Sequence, residues 1–134
     1  MDVKSVVDKQ SVFFHKMKTK ELPFRLEALS KLYQAVFKYE SDILNALKKD
    51  LNKSEFEAYS SEIGIVLQEI RFVKKNLRKW MKRRKVKTPI THFGSSSYVY
   101  PEPYGVALII APWNYPFQLS ISPLIGAIAA GNCA

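Results

Sequence analysis

Apolar residues recur every three or four positions through roughly the first eighty residues, and the period then changes. Val6, Gln10, Phe13, Phe14 and Met17 share one face and predict a short amphipathic helix. A second helix is predicted from near Pro23, a residue suited to a first helical position, with Leu26, Leu29, Tyr33, Val36 and Phe37 on one side. Ser41 reads as the N-cap of a continuation through Ile43, Leu44, Leu47 and Leu51. The third long helix has the plainest start: Ser54 and Glu57 match the S-x-x-E capping box, in which each side chain satisfies the other residue's backbone amide. Its stripe runs Phe56, Tyr59, Ile63, Val66, Ile70, Val73, Leu77 and Trp80. That spacing would also suit a coiled coil. The neighbouring helices do not repeat it and the e/g charges are not patterned, so packing within a helical layer is the expectation.

From Val86 onward, β-branched and aromatic residues are separated by Gly, Ser and Pro. The pattern predicts a strand from Lys87 to Phe93, a turn over Gly94 to Ser96 and a strand from Tyr98 to Tyr100. Val106 to Ile110 is apolar at every position, as in a strand buried on both faces of a parallel sheet. Pro112 and Pro116 then fix the backbone of a tight connection. A helix is expected from about Phe117 to Ala130, stopped by Gly131 and Asn132 and kinked or broken early at Pro123. Strand, short loop and helix N-terminus form the first half of a mononucleotide-binding unit, although the G-x-G-x-x-G fingerprint is missing.

Charge alters this picture only locally. The formal net charge is +9, yet residues 74–87, KKNLRKWMKRRKVK, carry no acidic residue and hold the whole excess. Such a run can bind phosphates with Trp80 stacking on a base, or it can be a solvated helix end whose cations complement the macrodipole. The second reading is favoured because no other basic or aromatic strip accompanies the run, so no nucleic acid is expected as a partner. The single cysteine, Cys133, precludes an internal disulfide, and with two scattered histidines it makes no zinc site, so no metal is expected. With 47% hydrophobic residues the chain can build an ordinary core. The N-terminus has no signal-peptide apolar region, and no stretch approaches the roughly 18 to 20 apolar residues of a membrane span. A cytoplasmic protein is therefore the default, with peripheral membrane contact left open.

The stretch YPEPYGVALIIAPWNYPFQLSISPLIGAIAAGN closely resembles the aldehyde dehydrogenase superfamily, most of all its class 3 type with a short N-terminus. LEALSKLYQAVFKYESDILNALKKDLNKSEFEAYSSEIGIVLQEI also falls where that class has its N-terminal helices. The resemblance implies oxidation of an aldehyde to a carboxylic acid with NAD or NADP, through a cysteine thioester. It implies that Asn114 of the Pro-Trp-Asn motif donates its amide to the oxygen on which charge develops, and that Ile110, Ala111, Pro112 and Trp113 line the cofactor. On pattern alone Asn114 reads as a turn residue or helix cap, and Trp113 as core; the motif favours the catalytic role for Asn114 and is compatible with both for Trp113.

The fold class expected is α/β: N-terminal helices, a β-hairpin and the first strand-helix unit of a Rossmann-like parallel sheet, an incomplete aldehyde dehydrogenase fold. Residues 1–85 would be the helical part of the cofactor-binding domain, 86–103 the hairpin of the oligomerisation region, and 104–134 the first β-α unit. The family's nucleophilic cysteine and general-base glutamate would lie beyond Ala134, so the chain reads as the N-terminal portion of a longer enzyme that forms a homodimer. Cys133 is a poor nucleophile in this frame, because a helix of about 14 residues separates it from Asn114 by roughly 20 Å. The competing reading is a non-catalytic helical interaction module that uses residues 74–87 on nucleic acid or acidic membrane.

Overall fold

The computed structural model describes residues 2–134. Helix α1 spans Val3–His15, capped by Asp2, whose carboxylate accepts from the Lys4 and Ser5 amides. Val6, Gln10, Phe13 and Phe14 are half-buried as expected. Met17 is exposed and departs from the pattern, because the helix has ended and Met17 takes a left-handed φ of 64° leading into a short turn at Lys18–Lys20. Helix α2 spans Leu22–Lys38 and buries Leu29 and Val36, while Phe37 points to solvent. Helix α3 spans Glu40–Leu51. Ser41 lies inside its first turn and does not cap it; the flanking position is Tyr39, with no side-chain cap.

The long third helix is composite. Helix α4, Glu55–Ala58, runs through a π turn at Tyr59–Ile63 into helix α5, Gly64–Trp80. Ser54 caps it, accepting from the Glu57 amide at 3.2 Å. From Ile63 to Leu77 the expected stripe is buried, but Phe56 and Tyr59 are exposed and Ala58 takes the inward position. The π turn is the cause: one extra residue per turn rotates everything before it by about 100° relative to an uninterrupted α-helix.

Arg84–Val86 and Ser97–Val99 form an antiparallel pair, β1 and β2, with Lys85 opposite Tyr98. The first strand therefore lies before the expected Lys87 to Phe93. Pro89 has no amide for a ladder, and Ile90–His92 coils into a 3₁₀ turn before Gly94 reverses the chain at φ 84°. Val106 to Ile110 forms no regular strand. Its only pairing among the described residues is a parallel bridge of Val106 with Cys133, in which Ala107 donates to the Cys133 carbonyl and Cys133 donates to the Gly105 carbonyl. A ladder needs a neighbour of matching length, and here only Cys133 lies alongside.

Helix α6 runs unbroken over Pro116–Ala130, straight through the exposed Pro123, carried by packing of Ile121, Ile125 and Ala129 in the core. Gly131, at φ 90°, closes it in a Schellman arrangement in which the Asn132 amide reaches the Ala127 carbonyl at 2.9 Å. The core is shared by α2, α5 and α6, with Leu29, Val66, Ile70, Leu77 and Ile125 essentially sealed from solvent. No helix among the described residues is long and apolar enough to cross a membrane.

Candidate active site

The two-proline connection ends at the N-terminus of α6, where helix chemistry needs an acceptor for unpaired amides. Tyr115, in the flanking position, supplies none. Glu62 supplies it from the π turn, its Oε2 accepting from the Phe117 amide at 2.9 Å and the Gln118 amide at 3.2 Å. Its other oxygen, Oε1, accepts from Lys53 Nζ at 2.5 Å. Glu62 is 0% exposed and Lys53 7%, so the ion pair is interior, where a carboxylate persists only if paired.

Lys53 Nζ also donates to the Asn114 backbone carbonyl at 3.0 Å and lies 3.9 Å from the centroid of the Tyr115 ring. An ammonium has three donors, and these three partners use them. Asn114 is thus held by its backbone while its side chain is exposed and accepts or donates no hydrogen bond among the described residues. Pro112 is also exposed, Ala111 is half-buried, and Ile110 and Trp113 are 84% and 83% exposed, so Trp113 does not pack in the core of this chain.

The α6 N-terminus does not provide the phosphate cradle that a mononucleotide-binding unit suggests. Two of the amides that would hold a phosphate are occupied by the Glu62 carboxylate, which would also repel an anion.

Cys133 stands at the far end of α6 from Asn114, its backbone bonded to Gly105 and Ala107. Burial raises its thiol pKa, which keeps it protonated and unreactive near neutrality. A thiol is charged when it loses its proton. The unfolded chain therefore ionises first, and the contribution is present below the ordinary thiol pKa of about 8.5 and lost as pH rises through the folded value. Urea midpoints measured across alkaline pH are expected to fall more steeply for the parent chain than for Cys133→Ser; equal slopes would contradict the burial argument.

The basic run divides between two environments. Arg78 and Lys79 occupy the last turn of α5, and Arg83 lies 4.2 Å from the Tyr98 ring centroid and donates to the Tyr100 hydroxyl at 3.1 Å. Trp80 packs at an angle on Phe72 of its own helix.

Lys53 and Glu62 escape the periodicity argument. Their signal is faint: Glu62 sits four residues after Ala58 and four before Val66, an acid in line with two buried apolar positions. Lys53 lies in a loop, where a charged residue is unremarkable by pattern.

The solved substrate-bound Staphylococcus aureus AldH superposes with a TM-score of 0.93 at 50% identity, covering 98% of this chain and 29% of that one. The 4,4'-diaponeurosporen-aldehyde dehydrogenase of Staphylococcus aureus is 55% identical over 122 residues, 91% of this chain and 27% of the relative. The dimeric NADP-preferring aldehyde dehydrogenase of Canis lupus familiaris is 42% identical over 131 residues, 97% of this chain and 29% of its own length. The chain therefore spans between a quarter and a third of the length of these relatives, and its fold, helices with a two-stranded antiparallel sheet, is that of the N-terminal part of the solved enzyme. Residues 1–134 match the Aldehyde dehydrogenase family throughout, and the chain belongs to that family.

Proposed function

We propose that this chain supplies the oxyanion-binding elbow of an NAD- or NADP-dependent aldehyde dehydrogenase that oxidises aldehydes to carboxylic acids through a cysteine thioester. The observation that carries this reading is the Asn114 carboxamide, free and exposed on a backbone that is itself anchored. A neutral amide donates at any physiological pH, and a donor fixed before reaction stabilises developing charge without reorganisation. Ile110, Ala111, Pro112 and Trp113 would line the dinucleotide, offering apolar surface and backbone groups; when bound, the nicotinamide supplies the hydride acceptor. The dog relative's designation as dimeric and NADP-preferring supports a homodimer and leaves NADP as an acceptable cofactor.

The test is a chimera in which residues 1–134 replace the matching segment of the Staphylococcus aureus relative. Aldehyde-dependent formation of reduced nicotinamide is expected from the folded chimera, and its absence would count against the reading. The 134-residue polypeptide by itself is expected to give none. Cys133 lies at the opposite end of α6 from Asn114 and is not placed to attack a carbonyl held there, and turnover by the isolated chain that Cys133→Ala abolishes would overturn this.

A further inference from the structure

We infer that Lys53 and Glu62 are positioning residues for Asn114: their buried pair acts as a brace that sets the direction in which the Asn114 carboxamide points. The inference rests on the role proposed for Asn114. One ion pair touches four consecutive features of the elbow: the Asn114 carbonyl, the Tyr115 ring, and the Phe117 and Gln118 amides. Holding the Asn114 carbonyl fixes the peptide plane between residues 114 and 115, while holding the amides fixes where α6 begins. Pro112 and Pro116 fix their own φ two residues to either side, so the tether on the Asn114 carbonyl acts on a segment already stiffened at both ends.

The pair's own charge does not explain the arrangement. Ammonium and carboxylate cancel, and both are sealed from solvent, so they add little net field at an oxygen bound to the Asn114 side chain. What they add is geometry. Glu62 is presented by the π turn at Tyr59–Ile63, and Gly64 donates back across that turn to the Tyr59 carbonyl. A Cβ at residue 64 would stand 3.1 Å from that same carbonyl, which would have to give by a few tenths of an ångström. The turn thus lies at the residue that reaches the start of α6.

The decisive variant is the neutral double substitution Lys53→Met with Glu62→Gln, which leaves no orphaned buried charge; Gln can still accept from an α6 amide, but nothing reaches the Asn114 carbonyl. In the 134-residue chain, nitrogen relaxation of the Asn114 and Tyr115 backbone amides is expected to show a rigid elbow in the parent and a mobile one in the double variant. In the chimera, kcat per folded molecule is expected to fall by about tenfold to 10²-fold with KM changed less than about threefold. Lys53→Arg, which keeps a cation beside Glu62 and the carbonyl, is expected to recover part of the loss relative to Lys53→Met. A merely structural pair would change the folded fraction and leave both the amide dynamics and kcat per folded molecule intact. A folded double variant with a rigid Asn114 amide and parental kcat overturns the brace. If Asn114→Ala also leaves kcat intact, the proposed function falls with it; if Asn114→Ala alone is crippled, only the brace is wrong.

Discussion

Asn114→Ala in the chimera is expected to lower kcat by about 10²- to 10³-fold, the usual cost of losing one oxyanion donor, with KM little changed. Stability should hardly move. The side chain is exposed and makes no bond within the described residues, and the contact that anchors the residue uses its backbone carbonyl, which alanine keeps. A change within about 0.5 kcal/mol is therefore expected from urea titration. The alternative, Asn114 as a local turn or capping residue, predicts the reverse: a loss of about 1 kcal/mol and unaltered turnover per folded molecule. Glu62 already fills the capping role from outside the helix. Asn114→Asp sharpens the comparison, because a carboxylate in that place accepts where a donor is needed and repels the developing charge. Its kcat should fall at least as far as that of the alanine variant.

Arg25→Met is expected to destabilise the chain by about 3 to 5 kcal/mol, a large share of the ~5–15 kcal/mol typical of a folded domain. Arg25 is 6% exposed and donates to three backbone carbonyls, those of Thr19 at 2.7 Å, Ala129 at 3.0 Å and Lys20 at 3.1 Å. It ties the turn after α1 to the C-terminal end of α6, where the helix dipole favours a cation. Burial lowers its pKa and the charge of Glu102 works against that, but guanidinium remains protonated. Methionine fills much of the space, so the loss reports the orphaned carbonyls more than a cavity.

Gly131→Ala strikes the same junction. Its φ of 90° suits glycine, and a Cβ there would lie 2.5 Å from Arg25 Nη2. That guanidinium is pinned by its three bonds and cannot step aside. The double variant should therefore lose less than the sum of the single losses, because Arg25→Met removes the group that the new methyl would strike. Strict additivity in thermal or urea unfolding would mean that the two residues do not meet.

The comparison of pattern with structure divides by range of interaction. The helices were legible because burying one face imposes a three-to-four spacing, and Leu29, Val36, Ile70 and Leu77 obey it. Local chemistry was legible too: the Ser54 cap, the Gly94 reversal and the Gly131 stop each depend on neighbours only a few residues away. The strands were less legible. β1 forms three residues early because Pro89 interrupts the ladder, and Val106 to Ile110 stays irregular because among the described residues it pairs only through the Val106–Cys133 bridge. Apolar character says that a segment wants burial, and pairing decides whether it becomes a strand.

The PWNYP motif carried the resemblance to the family, and that resemblance named Asn114 as the candidate donor, whereas residue type alone made it a turn or cap residue. Tertiary structure alone decided how that donor is held. Lys53 and Glu62 lie 61 and 52 residues before Asn114, and neither spacing nor propensity links them to it. They meet it because Glu62, within the π turn at Tyr59–Ile63, lies against the start of α6, and because a buried carboxylate must find cations and amides wherever the fold brings them together.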